Sequence, residues 1–203
     1  GHCYLAQLAA VDAINQNSNH CDKYLLEGSG YFGHPAKSEE NFPSPVSSGA
    51  LGQGIVMSQG VALAKKLTGS QQKTWCIIGD GELNEGSCQE ALAFASQHQL
   101  NIVVVLDNNK QVSLALTEDV LSNGDISQRI SAFDINYLEI NGHCSSSIDQ
   151  ALIEINNLNG PIFLNLNTIK GKGVSFMEKV TKWHSTRLRN DEYELAAREI
   201  NRS

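Results

Sequence analysis

The 203-residue chain is short of most features that would assign it to a specialised class. It has no apolar run approaching the roughly 20 residues of a membrane span, and no signal peptide is visible. It has no surplus of Lys and Arg; the net charge of −7 argues against a nucleic-acid surface and leaves no basis for a membrane partner. Its five cysteines (Cys3, Cys21, Cys76, Cys88 and Cys144) are odd in number, scattered, and form no C-x-x-C pair. Neither a disulfide framework nor a zinc site follows, and a reducing cytoplasm is the expected setting. Internal repeats and low-complexity segments are also lacking. So is an initiating methionine: the chain opens Gly1-His2, which fits either a short non-native start or a natural N-terminal segment lying ahead of it. What remains is ordinary globular composition, 41% hydrophobic and 18% charged, in a length that fits one domain over residues 1–203.

Hydrophobic patterning predicts an α/β fold. A helix is expected over residues 3–16, followed by a long polar stretch from Asn17 to Gly49 of the length that usually carries function. "LGQGIVMSQGVALAKKLTG" reads as a helix stopped by Gly69, and its internal glycines imply close packing against its backbone. "TWCIIG" reads as a buried strand, "NEGSCQEALAFASQHQ" as a helix, and "LNIVVVLDNN" as a second buried strand. A loop to about Gly124 and a short helix ending near Phe133 come next. Strand "NYLEIN", helix "SIDQALIEINNL", strand "IFLNLNT", a "KGKG" loop and a last helix near "DEYELAAREI" complete the pattern. Alternation of this kind implies a parallel sheet with helices on both faces.

Ligands of such sheets sit beyond the carboxyl ends of the strands, and two motifs fall there. "IIGDG" ends one strand at Asp80, and "VVVLDNN" ends the next at Asp107, Asn108 and Asn109. One crossover separates them, so the two ends can be neighbours. A carboxylate and an amide oxygen from adjacent strands suit a hard cation such as Mg²⁺, commonly shared with phosphates. Gly79 and Gly81 would let backbone approach a diphosphate at the following helix N-terminus. Either motif alone is ordinary turn chemistry; the pair at this separation is what carries weight.

G-D-G, some 26 residues, then N-N resembles the thiamine diphosphate fingerprint. "GDGELNEG" is similar to the N-terminal, diphosphate-binding part of transketolases, particularly those divided over two chains. "GH" at the start, "GHP" at 33–35, "SSGALGQG" at 47–54, "LDNNKQ" at 106–111, "IKGKG" at 169–173 and "WH" at 183–184 extend the resemblance in order. It implies that Asp80 and Asn109 hold Mg²⁺ (or Ca²⁺) by their side chains and Gln111 by its backbone carbonyl. Gly81 would approach the diphosphate, and His2, His184 and Asn109 would contact the cofactor. Gly49 and Leu51 would meet the aminopyrimidine through backbone atoms. His34 would face the substrate, with His184 close enough to help in catalysis. Glu85 and Glu90 would lie at a subunit interface near the site. His20, His98 and His143 match no motif and are read as structural.

The implied activity is transfer of a two-carbon ketol unit from a ketose or ketose phosphate to an aldehyde. The family's cofactor-activating glutamate belongs to a pyrimidine-binding domain for which the chain has no room. A C-terminal, pyrimidine-binding partner subunit is therefore expected, in an assembly of two of each chain. The residues after His184 depart from the family pattern, with Ser185 in place of glycine, and so does Cys144 in place of aspartate. A specialised acceptor, such as an amino- or deoxy-sugar intermediate, would accommodate them. Two other readings share the GDG–NN logic: the alpha subunit of a 2-oxo acid decarboxylase or dehydrogenase, and a non-catalytic assembly subunit of the same fold. "GELNEG" and "WH" favour the transketolase reading.

Overall fold

A computed structural model describes residues 3–15, 19–37 and 46–201. Four parallel strands, β1 (Thr74–Gly79), β2 (Ile102–Asn108), β3 (Asn136–Asn141) and β4 (Ile162–Asn167), pair in the order β1-β2-β4-β3. Helix α1 (Tyr4–Ile14), the short α2 (His20–Lys23) and α3 (Gln53–Leu67) precede them. Helices α4 (Gly86–Gln97), α5 (Thr117–Val120), α6 (Ile126–Ser131) and α7 (Ser145–Asn157) lie between strands, and α8 (Asn190–Ile200) follows the last. Among the described residues no helix is long and apolar enough to cross a membrane.

The sheet is covered on both faces, as the strand–helix alternation predicts. On one face Cys76, Ile78, Val104, Leu106 and Phe163 pack against Ile55 and Ala62 of α3, Ala91, Leu92 and Ala95 of α4, and Ile126 and Ile130 of α6. On the other, Val103, Val105, Ile162 and Leu164 pack against Ala151 and Ile155 of α7. Burying these aliphatic side chains contributes about 1.5–3 kcal/mol each before the entropy of ordering them is subtracted. The Gln59 amide, itself buried in α3, donates to the Ala91 carbonyl and fastens α3 to α4.

One strand differs from expectation. "TWCIIG" reads as buried, yet β1 alternates, with Trp75 45% and Ile77 56% exposed. It is an edge strand, and among the described residues only its α3/α4 face is covered. A continuous apolar run does not distinguish a strand covered on one face from one covered on two. The four-residue helices α2 and α5 are also absent from the sequence reading, being too short to show a helical period.

Candidate cofactor and metal site

Because β1 and β2 pair in parallel register, Gly79 lies opposite Asp107 and both chains emerge at the same edge of the sheet. Asp80 follows immediately and is only 1% exposed. Its Oδ1 accepts the Gly81 N–H at 2.8 Å and its Oδ2 accepts the Thr117 hydroxyl at 3.0 Å. The Lys110 N–H also reaches this carboxylate. Burial nevertheless pushes the Asp80 carboxyl above the ordinary range, and the Asp107 charge pushes the same way. The neutral donors do not offset the loss of water. A buried carboxylate without a cationic partner is costly, and an oxygen-seeking cation would compensate it.

At the end of β2 the three polar residues separate. Asp107 accepts from the Thr168 hydroxyl and, at 3.2 Å, from the Asn109 amide. Asn109 Oδ1 accepts the Gln111 N–H at 3.0 Å, holding the loop in a tight bend in which Lys110 has φ +64°. Asn108 is 2% exposed, and neither of its amide atoms has a hydrogen-bond partner among the described residues; nor has the buried Oε1 of Gln111. Such orphaned groups beside Asp80 are rare without a ligand or ordered water to satisfy them.

Gly81 is required for space. Its φ of −67° suits any residue, but a Cβ there would stand 2.6 Å from Val112 Cγ1. A side chain at this position therefore requires Val112 to move. Together, the buried Asp80 carboxylate, the unpartnered Asn108 amide and Gln111 Oε1, and the Asn109 amide oxygen at the neighbouring strand end fit a hard divalent cation.

The other expected residues fall into two groups. His34 packs on Gly49, so close that a Cβ on Gly49 would meet its ring Cδ2 at 3.0 Å. Leu51, next but one, is half exposed and leads into α3. His184 closes a 3-10 turn (Thr181–His184), and its Nδ1 lies 2.7 Å from Lys170 Nζ. Burial lowers the Lys170 pKa, while the carboxylates of Asp80 and Asp107 act to raise it. Lys170 thus lies within electrostatic reach of Asp80 and Asp107. His2 lies outside the described residues. Glu85 and Glu90 are exposed.

Several residues of this neighbourhood escape sequence reasoning. Thr117 carries a hydroxyl to Asp80, and Asn123 donates to the Asp80 carbonyl at 2.8 Å. Arg129 of α6 in turn donates to Asn123 Oδ1 and Asn84 Oδ1, both at 3.0 Å, and to the Leu83 carbonyl. This fork braces both sides of the Asp80 turn. The "KGKG" loop delivers Lys170, to which the sequence reading assigned no role. Of the histidines that match no motif, His20 Nδ1 lies 2.5 Å from Asp12 Oδ1, His98 packs on Phe94 with ring centroids 4.2 Å apart, and His143 Nε2 accepts the Ile169 N–H at 2.8 Å.

Comparison with known proteins shows the family. Residues 19–201 match the family model described as "Transketolase, thiamine diphosphate binding domain". The chain is 36% identical, over 203 residues, to an apulose-4-phosphate transketolase subunit from Phocaeicola vulgatus, covering 98% of this chain and 72% of that one. It is 36% identical over 169 residues to the protein of the same name from Actinobacillus succinogenes, covering 83% of this chain and 61% of that one. Among solved structures, the transketolase of Campylobacter jejuni superposes with a TM-score of 0.81 at 26% identity, over 89% of this chain and 29% of that one. The chain thus spans under two thirds of the second relative and less than a third of the solved transketolase. With the family model covering nearly all of its length, the chain belongs to the transketolase family, in its thiamine diphosphate binding domain.

Proposed function

We propose that the chain, residues 1–203 acting as one domain, is the N-terminal subunit of a divided transketolase. It transfers a two-carbon ketol unit from a ketose or ketose phosphate to an aldehyde, using thiamine diphosphate and Mg²⁺. The observation that carries this reading is the buried Asp80 carboxylate, 1% exposed and in no ion pair among the described residues, at a strand end adjacent to that of Asn109. A pyrimidine-binding partner subunit completes the site, in an assembly of two of each chain, within the cytoplasm. Two relatives carry apulose-4-phosphate in their names, and a specialised sugar phosphate is the substrate class proposed here.

In this reading Asp80 and Asn109 hold the cation by side-chain oxygens and Gln111 by its backbone carbonyl. Gly81 admits the diphosphate, and Lys170 with His184 neutralises it. The bound cofactor supplies the nucleophilic carbon on which the two-carbon unit is carried. His34, packed on Gly49, is placed by this reading to hold or pass a proton at a substrate oxygen, with His184 assisting. Gly49 and Leu51 offer backbone groups to the aminopyrimidine. His2 is assigned to the phosphate end on resemblance alone.

The test is reconstitution. The chain alone, with thiamine diphosphate, Mg²⁺ and a ketose phosphate, should give no turnover; adding a pyrimidine-binding subunit should restore it. Turnover by the chain alone refutes the divided site. Turnover with pyruvate but not with ketose phosphates assigns a 2-oxo acid enzyme instead. No heat of cofactor binding, even with the partner present, leaves only an assembly role.

A further inference from the structure

The Asp80 loop carries a second carboxylate that the proposed cation does not use. Glu82 opens a 3-10 turn (Glu82–Asn84), closed by the Glu85 N–H on the Glu82 carbonyl at 2.9 Å. Its side chain turns back across the loop. Oε2 accepts the N–H of Gly79, the last residue of β1, at 3.2 Å. Oε1 accepts the N–H of Gly52, thirty residues earlier in the chain, at 2.8 Å. Gly52 precedes the first turn of α3 in a left-handed conformation, φ +76°, so its N–H has no acceptor within the helix. Gly52 is buried, and a Cβ on it would stand 2.1 Å from Ser87 Oγ and 3.0 Å from Glu85 Cβ. The segment bearing Gly49 and Leu51 is thus pressed onto the start of α4 and tied there by one carboxylate. Cys88 holds the other side of that turn, its thiol donating to the Glu82 carbonyl at 3.2 Å.

We infer that Glu82 is a positioning residue: bridging two backbone N–H groups, it fixes the Gly49–Leu51 segment at a set distance from the GDG turn, and so sets the spacing between the two ends of the cofactor site. This rests on the function proposed above, in which those two segments meet opposite ends of one molecule. Charge-assisted bonds from two amides to one carboxylate are stronger and more directional than neutral ones. The GDG turn does not depend on Glu82 alone, because Gly81, Thr117 and Asn123 hold Asp80 from other sides. Removing Glu82 therefore frees the Gly52 end and leaves the diphosphate end in place.

Glu82→Ala and Glu82→Gln test this. Amide hydrogen exchange on the chain should speed up at Gly52 and Gly79 by about tenfold in Glu82→Ala, the loss of one or two charge-assisted bonds. Exchange at Val104 in β2 should stay unchanged. In the chain assembled with its pyrimidine-binding subunit, Glu82→Ala should weaken thiamine diphosphate with Mg²⁺ by about tenfold, yet change inorganic pyrophosphate with Mg²⁺ by less than about twofold. Glu82→Gln keeps one accepting oxygen and should fall between wild type and Glu82→Ala. Unchanged exchange at Gly52, or equal loss of both ligands, overturns the inference. Failure of the wild type to bind either ligand instead overturns the proposed function, and the exchange result still decides whether Glu82 ties the two segments.

Discussion

Lys170 Nζ lies 2.7 Å from Nδ1 of His184, joining the loop after β4 to the 3-10 turn that ends at His184. Burial lowers the Lys170 pKa, while Asp80 and Asp107 favour its charged form. Lys170 is thus a cation drawn toward the strand ends, with His184 held beside it. Lys170→Met should keep the packing of the stem and remove the charge. Affinity for thiamine diphosphate should fall roughly 10- to 100-fold, the worth of one charge-assisted bond to an anion. Isothermal titration at two salt concentrations checks it; an affinity equal to wild type at both removes Lys170 from the site.

Asp80 offers a test with opposite signs in two states. Asp80→Asn should weaken Mg²⁺-dependent cofactor binding by more than about 100-fold, since it removes a charged ligand. Without metal the same change should raise the melting temperature at neutral pH. The folded-state pKa of Asp80 is raised, so its contribution to stability is full below the unfolded pKa and lost as pH rises through the folded value. The difference between variant and wild type should accordingly close as pH falls through that value. A melting temperature lowered by Asp80→Asn at neutral pH would contradict the burial argument.

Gly81 and Val112 form a steric pair. Gly81→Ala puts a Cβ 2.6 Å from Val112 Cγ1 and should destabilise the chain by about 1–3 kcal/mol, the usual cost of overpacking. The double variant Gly81→Ala, Val112→Ala should recover part of that stability while cofactor binding remains weak, because the methyl group still occupies the turn. Denaturant melts of the four combinations measure the coupling; strict additivity would show that the two residues do not meet.

Cys144 directly precedes α7, and hydrogen bonds from Ser146 and Ser147 hold its thiol down to about 7. Its thiolate fraction, and with it the rate of alkylation by iodoacetamide, should rise through half-maximum near pH 7 and fall as pH drops below it. Ser146→Ala should move that midpoint upward. Cys76 and Cys88 are buried, with the Cys88 thiol pushed up to about 12, and should stay unmodified in the folded chain. Mass spectrometry of peptides from a pH series would show whether Cys144 reacts first.

How far the sequence could be read depended on whether a residue acts locally. Asp80 and Asn109 were legible as candidates because apolar runs end abruptly just before the GDG and DNN motifs that hold them, and parallel pairing of β1 with β2 then brings the ends together. Thr117 and Asn123 were not, since their partner is on another strand end and their loop has no period. Lys170 was hidden in a motif whose composition describes a flexible loop. Glu82 was harder still: its partners are backbone amides, which every sequence contains. The exposed face of β1 escaped for a related reason, as Trp75 and Ile77 are as apolar as their buried neighbours. Side-chain chemistry is written in the sequence, whereas its backbone partners are fixed only by the fold.

The pairing of β1 with β2 also bears on how the chain folds. Asp80, Asn109 and Gln111 come from one strand–helix–strand segment, closed by a single crossover. Lys170 and His184 join only after β4 inserts between β2 and β3, a pairing of higher sequence separation and slower closure. The end proposed to hold the cation is therefore the part expected to organise first. A cation added at the start of refolding would then act on the folding nucleus and quicken folding, rather than only slow unfolding, and stopped-flow refolding with and without Mg²⁺ would read the difference.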